Sequence, residues 1–279
     1  MTDHGLGYLA NCSMLFTELP LLQRPAAAKT AGFDAIEFWW PWPDQPVPSD
    51  PTVDAFVTAV GDSGVQLVGL NFFAGDLAGP DCGVLSIPAR SRQFLDNIDV
   101  TVGIGERLGS SAFNALYGNR VDESTPHAQD ALARENLALA AAAAARVGAT
   151  VLVEPVSGPK PYPLRTAADA VTVVDAVRGD GHANVGFLLD LFHLANNGDD
   201  PAEAIRTHAD RIEHVQVADW PGRGEPGSGG LDLDGLLQAV SDTGYAGWVG
   251  LEYKPTTTTD ESLAWLPRGR RGRRTPSST

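Results

Sequence analysis

The chain has 279 residues, 43% of them hydrophobic, with 35 acidic against 20 basic side chains and a formal net charge of −15. That length supports one large core without a second domain. Five arginines (Arg268, Arg270, Arg271, Arg273, Arg274) follow Pro267; setting them aside leaves 15 basic against 35 acidic residues, a body at −20 that repels nucleic acid.

Two cysteines, Cys12 and Cys82, do not make a disulfide framework. Met1 to Gly7 is polar and acidic rather than basic and then apolar, unlike a secretory signal. The longest apolar run, the alanine-rich Leu137–Ala145, is short for a membrane span and reads as helix. A reducing, cytoplasmic setting without membrane contact is the expectation.

In chain order, one pattern recurs: helix, glycine, short apolar strand, polar end. Leu6–Cys12 is the first strand, ending in Asn11-Cys12-Ser13, and a helix covers Leu21–Thr30. Gly32 precedes strand Ala35–Trp39, Gly64 precedes Val65–Leu70 with Asn71 at its end, and Gly109 precedes Ala112–Leu116. Gly148 precedes Thr150–Val153, closed by Glu154. Val185–Leu189 is closed by Asp190, Ile212–Ala218 carries Gln216, and Trp248–Leu251 is closed by Glu252. Glycine past a helix end is the expected C-cap. Apolar strands with little alternation indicate a parallel sheet buried on both faces. Eight βα units predict a single (β/α)8 TIM barrel over 1–266, with a solvated, disordered Arg-rich tail over 267–279. A doubly wound sheet fits less well, because polar residues close nearly every strand rather than one switch point. Neither G-x-G-x-x-G nor a P-loop lysine motif occurs, so no nucleotide cofactor is expected.

In a barrel, the C-terminal strand ends surround one pocket. Glu154, Asp190, Gln216 and Glu252 then converge from the last four strands. Three carboxylates and an amide suit a hard divalent cation, Mg²⁺ in first place and Mn²⁺ as the alternative. Against this, a single strand-end acid is as often merely solvated. Two glutamates can also remove a proton from one carbon and return it to the next, with a metal lowering the cost of the enediolate between. That is aldose–ketose isomerisation. His193 can donate to a substrate oxygen, or pack at a helix start. Arg223, in the loop of four glycines and two prolines that spans 220–229, and Lys254 are candidates for an anionic group. Each is otherwise a solvated or surface-paired cation. Asn71 is a further substrate-binding candidate. His214 is expected in the barrel core; His4, His127, His182 and His208 read as surface or helix-end residues. Trp39, Trp40 and Trp42 either roof the pocket or anchor a subunit contact, which keeps a homo-oligomer open.

These residues resemble the bacterial hydroxypyruvate isomerase family, within the xylose-isomerase-like TIM barrels. The resemblance rests on Ala10–Phe16, Ala74-Gly75-Asp76, Val153-Glu154-Pro155, Asp190 with His193, the run from Gln216 to Gly227, and Gly247-Trp248-Val249-Gly250 through Glu252-Tyr253-Lys254-Pro255. It implies interconversion of hydroxypyruvate and 2-hydroxy-3-oxopropanoate (tartronate semialdehyde), a small hydroxy-oxo acid. It implies Glu154 and Glu252 as the proton-transfer pair. It also implies a divalent-metal site on Glu154, Asp190, Gln216 and Glu252. Glutamine at 216, where related ketose epimerases usually carry histidine, points to the hydroxypyruvate branch. The alternatives are a four-carbon 2-oxo-tetronate isomerase, a ketose 3-epimerase, and a non-catalytic sugar-acid-binding barrel. A nuclease of the related endonuclease barrels would need more histidines for a zinc cluster.

Overall fold

The structure, a computed structural model, describes residues 1–77 and 81–272. Eight parallel strands close into a barrel in sequential order, β1 pairing with β8. They are β1 (Gly7–Asn11), β2 (Ala35–Phe38), β3 (Gln66–Asn71), β4 (Ala112–Asn114), β5 (Thr150–Val153), β6 (Val185–Asp190), β7 (Ile212–Val217) and β8 (Trp248–Leu251). The main helices outside are α1 (Arg24–Ala31), α2 (Asp50–Ser63), α3 (Ser91–Leu108), α4 (Pro126–Ala145), α5 (Ala167–Gly179), α6 (Leu191–Asn197), α7 (Pro201–His208) and α8 (Leu233–Asp242). A short α9 (Thr259–Ser262) follows β8.

Side chains alternate along each strand, and this sorts the core into two parts. Tyr8, Ile36, Val151, Val153, Phe187, Leu189, Val215, Val249 and Leu251 join the large cluster between barrel and helices. The inner face packs Leu9 with Ala35, Val68 and Trp248, and Ala112 with Leu152 and Leu188. Two residues further along the same faces the character changes: Leu9 gives way to Asn11, Ala35 to Glu37, Ala112 to Asn114, Leu152 to Glu154, and Leu188 to Asp190. The barrel is thus plugged with hydrocarbon at one end and lined with polar groups at the other. Each fully buried aliphatic or aromatic side chain stabilises the fold by about 1.5–3 kcal/mol, and this plug anchors the polar layer above it.

Strand β4 is shorter than the sequence predicts. After Ala115 donates to Leu152, the carbonyls of Leu116 and Tyr117 accept from Leu85 and Ser86, so the chain turns to the 81–87 loop instead of following β5. The tail expectation also needs correcting at its start. Arg268–Arg270 form a 3-10 turn, and Arg271 donates to the carbonyls of Leu266, Ala31 and Leu263 while lying over Phe33. Packing therefore continues past Leu266 to these residues; 273–279 lie outside the described residues. His4 is buried rather than exposed, held by Gln238 and Asp234. His214 is buried inside the barrel, as its alternation implies. Among the described residues, no helix is long and apolar enough to cross a membrane.

Candidate active site

A cavity of about 230 Å³ opens at the polar end of the barrel. Its walls include Glu154, Glu252, His193, Arg223, Asn71 and Lys160. Of the sequence candidates, Glu154, Glu252, His193, Arg223 and Asn71 therefore meet in one place. Asp190 and Gln216 are buried beside them, paired in register on β6 and β7. Lys254 is not brought there: its side chain is exposed, and its main-chain N–H donates to the Arg223 carbonyl. Trp39 lines the cavity, whereas Trp40 and Trp42 pack on each other and Trp42 also on Phe56.

Glu154 sits just past β5, whose end is pinned by Tyr162. The Tyr162 hydroxyl donates to the Glu154 carbonyl and accepts from the Tyr117 N–H. Asn114, at the end of β4, donates to Glu154 Oε2 across 2.7 Å, which leaves Oε1 as the atom free to react. Asp190 ends β6 and caps α6, its Oδ1 accepting the His193 N–H. That cap holds Oδ2 turned away from the helix.

Glu252 follows β8. Its Oε2 accepts from Asn11 Nδ2 at 2.8 Å and Gln216 Nε2 at 2.5 Å, and its Oε1 from Arg223 Nη2 at 2.6 Å. The Arg223 loop is shaped by Asp219, 1% exposed, which accepts from the N–H groups of Trp220, Gly227 and Leu231. A Cβ on Gly229 would come within 2.6 Å of that carboxylate, so the tight turn requires glycine there. Arg223 itself adopts a left-handed φ of 60° and lies over the Phe192 ring. Its Nε is buried without a partner among the described residues.

His193 accepts from both the N–H and the hydroxyl of Ser157 on Nδ1, at 3.0 and 2.7 Å. A main-chain N–H can only donate, so Nδ1 is the acceptor and the neutral ring carries its proton on Nε2. Burial, with Arg223 adding to it, holds His193 well below the usual imidazole value, which keeps it neutral. Its Nε2 lies 3.8 Å from Glu154 Oε1 and 3.8 Å from Asp190 Oδ2. These three groups are close enough to share a cation. A protonated nitrogen has no lone pair to offer, so in this tautomer Nε2 can donate a hydrogen bond but cannot ligate a cation.

Four carboxylates are buried around one space: Glu37, Glu154, Asp190 and Glu252. Arg223 reaches Glu252 at 2.6 Å and Asp190 Oδ2 at 4.0 Å, and His214 reaches Glu37, while the hydrogen bonds to Glu154 and Asp190 come from neutral donors. Burial and the neighbouring Asp190 push Glu154 up to about 8. Burial lifts Asp190 to about 6 against the pull of Arg223. Burial likewise drives Glu252 well above the ordinary carboxylate value, with Arg223 opposing. For Glu37, burial works against the charge, but His214, Gln216 and Asn11 outweigh it and hold the carboxyl below its usual value. Two further oxygens, Asp190 Oδ2 and Gln216 Oε1, are buried with no hydrogen-bond partner among the described residues. Unpartnered buried oxygens beside under-compensated carboxylates fit a hard, oxygen-preferring divalent cation. Glu154, Asp190, Gln216 and Glu252 are the residues that could hold it.

Glu37, Asn11, Asn114, Ser157, Lys160 and Tyr162 were not singled out from the sequence. Three of them, Asn11, Glu37 and Asn114, stand at or near the C-terminal ends of strands, so the rule applied to the last four strands would have found them in the first four. Ser157 and Lys160 lie on a loop whose path has no local signal.

Comparison with known proteins agrees with this architecture. A family model described as xylose isomerase-like TIM barrel matches residues 25–269. A Streptomyces coelicolor protein, provisionally named hydroxypyruvate isomerase, is 53% identical over 95% of this chain and 96% of its own length. The hydroxypyruvate isomerase of Escherichia coli is 30% identical over 94% of this chain and 98% of its own. A 2-oxo-tetronate isomerase of Cupriavidus necator is 31% identical, covering 93% and 96%. A crystal structure described as an AP endonuclease, family 2, from Brucella melitensis superposes with a TM-score of 0.83 at 31% identity, covering 94% of this chain and 98% of that one. With the barrel closed, its polar end built as described, and relatives matched end to end, the chain belongs to the xylose isomerase-like TIM barrel family.

Proposed function

We propose that this protein is an isomerase that interconverts hydroxypyruvate and 2-hydroxy-3-oxopropanoate, moving a proton between adjacent carbons through an enediolate. The observation that carries the reading is the pairing of two buried glutamates, Glu154 and Glu252, on one cavity that also holds the Nε2–H of His193 and the Arg223 guanidinium. In each glutamate one oxygen is occupied by side-chain amides, Asn114 on Glu154 and Asn11 with Gln216 on Glu252. Oε1 of Glu154 is therefore its proton-carrying atom, and Oε1 of Glu252, held by Arg223 Nη2 at 2.6 Å, takes that part when the guanidinium turns to the substrate carboxylate. One takes the C3 proton of hydroxypyruvate as the C2=C3 double bond forms. The other delivers a proton to C2, while the hydroxyl proton passes from O3 to O2. His193 Nε2–H donates to the substrate oxygen that gains charge.

Arg223 and Lys160 give the cavity its affinity for a carboxylate. The Arg223 guanidinium and the Lys160 ammonium, which donates to the Leu77 carbonyl at 3.2 Å, are its cationic groups. A divalent cation, Mg²⁺ or Mn²⁺, held by Glu154, Asp190, Gln216 and Glu252 would supply Lewis-acid stabilisation of the enediolate oxygens. The setting we propose is cytoplasmic, in keeping with Cys12 and Cys82 as free thiols.

A four-carbon 2-oxo-tetronate substrate is the second reading, because the relative of that name is as similar to this chain as the Escherichia coli hydroxypyruvate isomerase. A metal-cluster nuclease is disfavoured by the engaged Nδ1 of His193. Proton NMR of hydroxypyruvate with the protein in D₂O, with Mg²⁺ and then with EDTA, tests the assignment. Aldehyde product is the expected result, and its loss in EDTA makes the cation essential. Unchanged hydroxypyruvate in both tubes overturns it. The same tube with a four-carbon 2-oxo acid and with a neutral ketose then identifies a sister isomerase or an epimerase; no change in any tube indicates a barrel that only binds.

A further inference from the structure

Glu37 reaches from β2 across the barrel interior beneath the cavity. It is 4% exposed and does not line the cavity. Its Oε2 lies 2.7 Å from His214 Nε2 on β7. Its Oε1 accepts from Gln216 Nε2 at 2.9 Å and from Asn11 Nδ2 at 3.0 Å. The same two amide nitrogens donate their other protons to Glu252 Oε2. Two NH₂ groups are thus clamped between two carboxylates, one proton to each.

The clamp has a consequence for orientation. An amide placed between two carboxylates must turn its nitrogen to them and its oxygen away. For Asn11 that orientation has a second support, because its Oδ1 accepts the Ser13 N–H at 3.0 Å. Gln216 has none: its Oε1 is buried without a partner among the described residues. The direction in which Gln216 presents that oxygen therefore depends on the charge of Glu37 as well as on Glu252. Room for the Glu37 carboxylate comes from two glycines. A Cβ on Gly250 would lie 2.5 Å from Glu37 Oε1, and one on Gly69 3.2 Å from Glu37 Cβ and Oε2.

We propose that Glu37, seated on His214 and in the space left by Gly250 and Gly69, is a positioning residue that sets the Gln216 amide so that Oε1 faces the reacting site and Nε2 holds Glu252. The proposal rests on the reading of Gln216 and Glu252 as parts of that site. Gln216 is the residue through which Glu37 acts, so the two form one unit.

The test is a double-mutant cycle of Glu37→Gln and Gln216→Ala, read by Mn²⁺ affinity in calorimetry and by kcat and KM separately. Losing an outer partner of a metal ligand typically costs about 10–100-fold in affinity or activity. Glu37→Gln should weaken Mn²⁺ binding and lower kcat within that range with little change in KM. The double variant should be no worse than Gln216→Ala alone. Side-chain amide NMR of Gln216 reads the clamp without metal or turnover: wild-type Nε2 protons should be shifted downfield and slow to exchange, and should lose both properties in Glu37→Gln. If Glu37→Gln does not fold, Gly250→Ala displaces the same carboxylate with one methyl and should give the same phenotype. A melting temperature that falls while Mn²⁺ affinity, kcat and the Gln216 resonances stay unchanged would overturn the proposal, as would full multiplication of effects in the double variant. Wild-type protein without turnover, but with Gln216 resonances that respond to Glu37→Gln, would sink the isomerase reading and leave the clamp standing.

Discussion

The main-chain N–H of Ser157 points at Nδ1 of His193 across 3.0 Å, and this single contact assigns the ring its tautomer. Because Nδ1 is the acceptor, ¹⁵N NMR of the histidine side chains should find His193 with a pyridine-like Nδ1 and a protonated Nε2 across neutral pH, without becoming cationic. His193→Phe removes that N–H while keeping a ring in place. Steady-state kinetics should then give kcat lowered by roughly 10²–10³-fold, the usual effect of losing one donor to a developing oxyanion. A protonated Nδ1 in the spectrum would remove His193 from its role.

The two glutamates should be separable from folding. Glu154→Gln keeps an acceptor for Asn114, whereas Glu252→Gln turns an NH₂ group onto a donor and takes the ion-pair partner from Arg223. Turnover in each variant should fall by roughly 10²–10⁴-fold, with the melting temperature of Glu154→Gln close to wild type and that of Glu252→Gln lowered. Near-normal turnover in both variants would end the proton-transfer assignment.

The carboxylate cluster makes stability depend on pH and on metal. Glu154 at about 8 and Asp190 at about 6 lie above their values in an unfolded chain. Between those unfolded values and the folded ones, the folded protein binds protons that the unfolded chain has released, so stability falls as pH rises through this window. Melting temperature in EDTA should therefore decline from pH 5 to pH 8. A divalent cation binds the deprotonated groups, so Mn²⁺ should flatten the decline and release protons on binding. Calorimetry in buffers of different ionisation enthalpy counts those protons; none released at pH 7 would contradict the ligand set.

Two lysines make opposite predictions. Lys160 lines the cavity, whereas Lys254 is exposed and contributes its main chain. Lys160→Met should raise KM for hydroxypyruvate about tenfold or more, in line with the ~1.5–3 kcal/mol of a hydrogen bond to a charged group. Lys254→Met should leave KM within twofold of wild type. Saturation curves for the two variants side by side decide it.

Arg271 ties the chain beyond Leu266 to the barrel through three carbonyls and the Phe33 ring. Arg271→Ala should lower stability by about 1–2 kcal/mol in urea unfolding while leaving kcat unchanged.

The barrel was legible in the chain because its signals are local. Apolar runs of strand length, glycine at helix ends and a polar residue closing each strand follow from burial and backbone sterics within a few residues. The same locality made Glu154, Asp190, Gln216 and Glu252 visible as strand-end residues. What the sequence could not decide is which groups touch once the ring is closed. Glu37 and His214 are 177 residues apart and Asn11 and Glu252 are 241 apart, yet each pair shares a hydrogen bond across the barrel. The His193 tautomer depends on a Ser157 36 residues away. That Lys160 lines the cavity and Lys254 does not depends on the path of a loop. Hydrogen-bond direction, pKa and access to the cavity arise from closure of the barrel, which brings side chains from eight strands within reach of one another, and only the tertiary structure settles them.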